Sequence, residues 1–386
     1  MLAAQLAVTG FAGQTPPMSL RIATFNIENL MNRFDFSGYR NNLNQDRTLS
    51  LYKIEDEEQY KRLEAARTIA HADDTRQLSA LAIADTHADI VVLQEVDNLD
   101  ALHAFEYGYL FKMVGSGYRH KYLAPGNDGR GIDVAVMMRD ETRDGQPIEF
   151  LAMQSHAHVT FGELGLHDRV LADMGIEAHE RVFRRDCLEI DLSVAGRPLT
   201  IFAIHFKSMG GNRDGIPGRE YTMPVRMAEA RAVRRIISDK FEGRTAGKRW
   251  LIAGDFNDYR ERILISGDRR SGYSFKPVVE ASSSLDVLLD DGFSVDPVQR
   301  LDAMERWTLY HTRGPEERHL CQLDYLLLSP RLAERNAKRL PEIIRAGQPW
   351  RTIFPVGQEP ERYPRTGWDR PKASDHCPVV MKLDIA

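Results

Sequence analysis

Apolar positions along the chain gather into short runs, and most of these runs start or stop at one polar residue. Leu20 to Ile27 (Leu-Arg-Ile-Ala-Thr-Phe-Asn-Ile) predicts a strand with Asn26 near its end. Asp89 to Val96 is a continuous apolar run, the pattern of a buried strand, and it carries Glu95 at its close. Ile132 to Met138 predicts a third strand, with Asp133 at its start. Cys187 to Val194 alternates, Gly196-Arg197-Pro198 signals a hairpin turn, and Leu199 to His205 predicts the returning strand. Trp250-Leu251-Ile252-Ala253 leads into Gly254-Asp255-Phe256-Asn257-Asp258, where Gly254 is expected to let the backbone turn. Gln322 to Ser329 and Val379 to Ile385 complete the set, with Asp324 near the entry of the first and Asp375-His376 just ahead of the second.

Two stretches carry a helical period instead. Gln59 to Thr86 has neither Pro nor Gly, and Leu78, Leu81 and Ala82 repeat at i, i+3, i+4. Pro224 is placed to open a helix reaching about Phe241, capped by Thr222. Ala230, Val233, Ile236 and Ile237 form its apolar stripe, and Arg226, Arg231, Arg234 and Arg235 read mostly as a solvated face. The segments between are polar. Asn32 to Glu58 and Lys207 to Arg219 read as loops that wall a pocket. Pro125 to Gly129 is a turn. Residues 140–180 are mixed, and their histidines (His156, His158, His167, His179) lack helical metal spacing and read as surface or loop residues. Residues 259–320 read as loops and short helical pieces, and 345–373 as one long irregular loop.

No repeat and no linker divides the chain, so 19–386 reads as one domain with long insertions behind a leader, 1–18. That leader is apolar and small but has no Lys or Arg ahead of its apolar part. It is a disordered leader, a misplaced start or a weak export signal, with the first two preferred. A length of 386 residues with 42% apolar content supports a sizeable core. The formal charge of −5 does not advertise a nucleic-acid binder, although a local basic groove or bound cations can offset it. Three scattered cysteines support neither a disulfide framework nor a zinc knuckle, so a reducing, cytoplasmic setting is the default, with export as the alternative. No apolar run is long enough for a membrane span.

Composition alone leaves the chemistry open, but the strand ends narrow it. Asp255 and Asn257, two apart at strand spacing, would face one side. Asp255 either caps a tight turn or orients a water and takes its proton, and Asn257 can hold an oxyanion without adding charge. A lone acid at a strand end is commonly a cap. Asn26, Glu95, His205, Asp255 with Asn257, Asp324, and Asp375 with His376 together repeat the feature too often for that reading. Carboxylates and amides without cysteine suit a hard cation such as Mg²⁺ or Mn²⁺. HExxH, GxxxxGK[ST] and GxSxG are all absent, which disfavours zinc proteases, P-loop hydrolases and serine hydrolases.

Thr24-Phe25-Asn26-Ile27-Glu28-Asn29, Leu93-Gln94-Glu95-Val96, Gly254-Asp255-Phe256-Asn257-Asp258, Leu323-Asp324-Tyr325 and Ser374-Asp375-His376-Cys377-Pro378 resemble the signature blocks of the endonuclease/exonuclease/phosphatase superfamily, in bacterial-type form. This is the fold of deoxyribonuclease I and the exonuclease III-like nucleases. The resemblance implies an α/β (α+β) four-layer sandwich: two mixed β-sheets packed face to face and flanked by helices. It implies metal-dependent hydrolysis of phosphoric esters. Residue by residue, it implies Glu95 as the principal Mg²⁺ ligand with Asn26 beside it, and Asp375 as a second acid on the metal side. Asp255 would orient or deprotonate water, and Asn257 would partner it on the phosphate. His376 would contact the phosphoryl oxygens, held by Asp324. His205 matches the deoxyribonuclease I-like members, where repair nucleases have tyrosine. Asp133, Lys207 and Asn212 are expected to bind substrate.

The substrate is less legible. Residues 345–372 hold six basic and three acidic residues, interleaved with Trp350, Phe354, Tyr363 and Trp368. That is either a nucleic-acid groove or a loop pinned by its aromatics. A Mg²⁺-dependent nuclease, as an endonuclease on DNA, is the leading reading. A phosphoesterase on a small or lipid-derived diester or monoester is the alternative, and a non-catalytic binding protein ranks third. Oligomeric state is not encoded in any visible pattern.

Overall fold

The computed structural model describes residues 19–31, 56–210, 212–213, 215–314 and 316–386. The expected leader, all but the last residues of the Asn32 to Glu58 loop, and Gly211 and Asp214 of the Lys207 to Arg219 loop lie outside these. In chain order the strands are β1 (Ser19–Leu30), β2 (Ile90–Val96), β3 (His120–Leu123), β4 (Asp133–Met138), β5 (Ile148–Ser155), β6 (Cys187–Val194), β7 (Arg197–His205) and β8 (Trp250–Asp255). They continue with β9 (Glu261–Asp268), β10 (Gly272–Val279), β11 (Leu309–Thr312), β12 (Arg318–Cys321), β13 (Asp324–Leu328), β14 (Glu342–Ile343) and β15 (Val379–Asp384).

Two mixed sheets form the sandwich. One has the order β14-β15-β1-β2-β4-β3, and the other β13-β8-β7-β6-β5. Only the β1–β2 and β7–β8 pairs are parallel within these sheets. Strand alternation sorts side chains between the layers. Leu20, Ile22, Ile90 and Val92 point inward and meet Ile190, Ile201, Ala203, Leu251 and Leu326 of the opposite sheet. Ala23, Phe25, Val91 and Leu93 point outward onto Leu78 and Ile83 of the helix Glu57–Thr86. On the far side Phe202, Ile204, Trp250 and Ile252 pack on Val225, Val233 and Ile237 of the helix Gly218–Lys240. The α/β four-layer sandwich is therefore held by three apolar interfaces, each large side chain contributing about 1.5–3 kcal/mol on burial.

Several expectations are corrected. The stretch from 259 to 320 contains a third, antiparallel sheet, β10-β9-β12-β11. β11 and β12 are only four residues each, and in the eight-residue β10 Pro277 obscures the pattern; β10 is an edge strand, where a missing N–H is tolerated. The second long helix starts at Gly218, so Pro224 lies inside it and Thr222 is not its cap. Side chains serve its first turn: Thr222 Oγ1 donates to the Gly218 carbonyl (2.7 Å), and Arg226 donates to the Arg219 carbonyl (2.5 Å). Arg226 is consequently not on a solvated face but fully buried, 3.8 Å from Asp258. His156 is also buried, at 3.0 Å from Glu189, because the following strand β6 carries its carboxylate partner.

Gly254 has a different task from the turn expected of it. It sits within β8, where a Cβ would collide with the Ile204 carbonyl oxygen of the parallel neighbour β7. The turn is made two residues after the strand, at Asn257 (φ 49°). Gly254→Ala should therefore cost roughly 3 kcal/mol or more, or abolish folding. Gly247→Ala, with open space at its Cβ position, should stay within about 0.5 kcal/mol. Urea unfolding followed by circular dichroism checks both, and equal midpoints for the two variants would refute the close-approach account.

Candidate active site

The inward-facing rows of the two sheets run out at one edge, and there the apolar side chains give way to polar ones. In β7, Ile201 and Ala203 are followed on the same face by His205; in β8, Leu251 and Ala253 by Asp255. In β13 the order is reversed, so Asp324 precedes Leu326 and Leu328. Register then aligns the three: His205 pairs with Asp255, and Asp255 with Asp324. From the opposite sheet, Asn26 continues the inward row of Leu20, Ile22 and Thr24. Its Nδ2 donates to Asp255 Oδ2 at 3.0 Å.

Asp255 is fully enclosed by partners. The Asn257 backbone N–H donates to Oδ1 (2.7 Å), and Asn257 Nδ2 donates to Oδ2 (3.1 Å). His205 Nε2 lies 3.5 Å and His376 Nε2 3.9 Å from Oδ2. Burial raises Asp255 to about 6, against the opposing pull of the His376 charge. The second amide acceptor of Asn257 is the Phe206 carbonyl (3.1 Å), so both Nδ2 hydrogens have acceptors. A contact from Asn257 to phosphate would require one of these bonds to be exchanged.

His376 is held from its other side by Asp324, with Nδ1 to Oδ2 at 2.8 Å. Burial works against its charge, but Asp324 and Asp255 together raise it well above the ordinary histidine range. The imidazolium is thus bracketed by two carboxylates. His205 is the opposite case. Burial, Arg185 and His376 push it far down, so it is a neutral imidazole, and its Nδ1 has no hydrogen-bond partner.

Glu95 and Asp375 line the cleft beside this row. Glu95 sits in a left-handed conformation (φ 65°) at a β-bulge, which re-aims it out of the strand's alternation. Glu28, Asn29 and Asn257 share this sparsely populated region, a cluster of backbone strain at one edge. Burial, then Asp375, raises Glu95 to about 7. Asp375 goes the other way: burial is outweighed by Lys372 and His376, and it falls to about 2. Together these residues face a cleft of about 370 Å³ that Arg130, Arg185, Arg219, Arg262 and Arg313 also line.

Of the expected residues, the structure brings together Asn26, Glu95, His205, Asp255, Asn257, Asp375 and His376 around that cleft, with Asp324 behind His376. Asn212 is on its rim. Asp133 and Lys207 are not among its lining residues. Asp133 accepts the Gly126 N–H (2.8 Å), and Lys207 donates to Ser208. Several participants were not singled out in the sequence, Ser374 among them although it stands within a recognised block. Thr308 donates to Asp324 Oδ2 (2.7 Å). Ser374 ties the His376 loop to the Asn26 carbonyl (2.7 Å). Glu28 anchors that loop through Arg370 (2.6 Å) and Lys372 (3.1 Å), although it stands within a recognised block. Arg185 is buried against Asp128 at 2.9 Å.

The profile of the Endonuclease/Exonuclease/phosphatase family matches residues 23–376. The chain belongs to that family. The family's members are phosphoester hydrolases. No curated protein matches the sequence. Among solved structures, an endonuclease/exonuclease/phosphatase family protein from Bacteroides thetaiotaomicron superposes with a TM-score of 0.50 at 13% identity, covering 95% of this chain and 98% of that one. D. rerio TDP2 complexed with single strand DNA product is 15% identical (TM-score 0.48; 95% and 98% covered). The human Nocturnin catalytic domain with bound sulfate anion is 14% identical (TM-score 0.44; 96% and 96% covered). At such identities the first likeness shows the endonuclease/exonuclease/phosphatase fold alone.

The Asp324–His376 bracket makes a direct prediction. Asp324→Asn removes one of the two charges that hold the imidazolium, so the His376 pKa should fall by at least about one unit. An NMR titration of the ring nitrogens reads this, and an unchanged pKa in the variant would show that Asp255 alone holds the proton.

Proposed function

We propose that this family member is a divalent-metal-dependent phosphodiester hydrolase whose substrate is nucleic acid, cut internally, with DNA first. The observation that supports this reading most is Asp255, raised to about 6 and held by Asn26, Asn257 and His376 at the floor of an arginine-lined cleft. A base with that poise is ionised at neutral pH yet still takes a proton readily. The arginines around it are each held by an acid of the chain, Arg130 and Arg185 by Asp128, Arg219 by Asp258, Arg262 by Glu280 and Arg313 by Glu317, and so line the cleft as fixed guanidinium groups that a phosphate can approach.

The side chains also suit a hard cation. Glu95 and Asp375 are two half-buried carboxylates on one wall, and the raised Glu95 is what an acid without a balancing cation looks like. Glu95, Asp375 and Asn26 would hold Mg²⁺ or Mn²⁺. Asp255, Asp324 and His376 also bring ligand atoms within 4.8 Å of one another. Using them for metal would break the 2.8 Å Asp324–His376 bond, so they fit better as a charge relay beside the phosphate. When bound, the cation supplies positive charge against the phosphoryl oxygens.

The chain's own groups then divide the reaction. Asp255 accepts a proton of the attacking water while the water oxygen bonds to phosphorus and the opposite P–O ester bond breaks, the leaving oxygen taking a proton from solvent. Asn26 and the Asn257 N–H fix the carboxylate that takes this proton. The His376 imidazolium faces the charge that builds on the phosphoryl oxygens, and Asp324 keeps it protonated. Neutral His205 can donate to a substrate oxygen from the same row. Asp133, Lys207 and Asn212 remain candidates for substrate contacts farther out.

A small diester also fits a cleft of this size, and one set of substrates separates the readings. Plasmid DNA, RNA, bis-p-nitrophenyl phosphate and a monoester are compared with Mg²⁺, Mn²⁺ and EDTA. Nicking of plasmid that EDTA stops is the expected result, whereas turnover of small diesters without any cut in DNA would overturn the nuclease reading. Asp255→Asn should lower the rate by at least about 10³-fold. The wild-type rate should rise with pH through about 6, because the acid must lose its proton to act as base.

A further inference from the structure

The third sheet is a wall with two wet faces. Alternation in β11 and β12 sends His311 and His319 toward the catalytic cleft, and Tyr310 and Arg318 toward the other side. There a second cleft opens, about 740 Å³, between this sheet and the irregular segment of residues 345–373. Trp350 and Trp368 stand in it with 51% and 58% of their surface exposed. Exposed tryptophans are unusual, and these two are fixed. The Trp350 N–H donates to the Gly367 carbonyl (3.0 Å), and the Arg351 N–H donates to the Trp368 carbonyl (2.8 Å). The Trp350 indole N–H is also bound, to the Thr366 carbonyl at 3.0 Å. The segment is thus fixed by backbone pairing, and each ring is further held by a guanidinium stacked on it, Trp350 by Arg362 and Trp368 by Arg269.

Cations are interleaved with the rings. The Arg269 guanidinium lies 4.9 Å over Trp368, and Arg318 lies 5.5 Å over Tyr273. Arg351, a third lining arginine, pairs with Asp369 at 2.8 Å. The acid on the lining, Glu359, is already neutralised by Arg362. Each ring already carries one guanidinium, Arg362 at 4.2 Å on Trp350 and Arg269 at 4.9 Å on Trp368, and still exposes about half of its surface; a partly open aromatic surface beside guanidinium groups binds flat bases and their phosphates together. A purely apolar partner would leave these arginines desolvated, and a free anion would leave the rings unused.

We propose that the second cleft holds a single strand of nucleic acid, stacked on Trp350 and Trp368, while the substrate occupies the catalytic cleft across the β11–β12 wall. This rests on the nuclease reading and adds a strand-binding surface to it.

Binding of a fluorescein-labelled oligothymidylate of about 12 nucleotides to the full chain in EDTA, read by anisotropy, tests it. Hydrolysis of bis-p-nitrophenyl phosphate with Mn²⁺ runs alongside. Trp368→Ala should weaken binding by roughly tenfold or more and leave the small-diester rate unchanged. Arg269→Gln, at an exposed position, should weaken binding and lower the salt slope by about one. Wild-type affinity in both variants would overturn the cleft while leaving the nuclease reading standing. A wild-type protein that turns over the small diester but neither binds nor cuts any polynucleotide would fell the nuclease reading, and the cleft with it. Competition by thymidine monophosphate as effective as by the oligomer would also overturn it, because the cleft would then be a mononucleotide pocket.

Discussion

An imidazole held between two buried aspartates that favour its charged form, His376 between Asp324 and Asp255, is the contact on which the polar edge of the sandwich depends. None of the three could sit there alone. A carboxylate without a partner in this environment would take up a proton, and a lone imidazole would give one up. Each charge is tolerable because the others are there. The three come from β8, β13 and the loop before β15, so the ion cluster closes only when the second sheet is complete and the C-terminal segment is in place.

Much of the remaining architecture serves that closure. Thr308 donates to Asp324 Oδ2, the same oxygen that holds His376 Nδ1, and it also accepts the N–H groups of Leu323 and Asp324. Because Thr308 immediately precedes β11, the third sheet is joined to the ion cluster at this point. Glu28 does the corresponding task for the His376 loop. Its carboxylate takes Arg370, Lys372 and the Asp375 N–H, and so fixes the loop to the end of β1. The left-handed residues at Glu28, Asn29, Glu95 and Asn257 show where the backbone leaves regular geometry to bring these groups together.

The same sheet that closes the site also divides the surface. One face of β11–β12 carries His311 and His319, stacked at 4.7 Å, into the cleft that holds Asp255 and His376. The other carries Tyr310 into the cleft of Trp350 and Trp368. The chain thereby presents two neighbouring clefts on the two faces of one sheet, with period-2 alternation assigning each side chain to its cleft.

The strands of both mixed sheets were legible as apolar runs, and the polar residues at their ends were legible as a set. That is because alternation is a local rule: a residue two beyond the last inward apolar position also points inward. Asn26, His205, Asp255 and Asp324 all follow it. Glu95 and Asn257 do not, since a bulge and a left-handed turn re-aim them. The third sheet was hidden by two four-residue strands and a proline in its edge strand, and the buried Arg226 and His156 looked like surface residues. Their burial is set by partners far along the chain, Asp258 and Glu189, and not by their neighbours. The sequence alone determined which groups would stand at strand ends and that their chemistry suited phosphate and a hard cation. Only the tertiary structure decided the register that lines up His205, Asp255 and Asp324, the partners that set their charges, and the roles of Thr308, Ser374 and Glu28. Register and burial are properties of residues 16 to 348 positions apart, brought together by the packing of the sheets, and no local pattern records them.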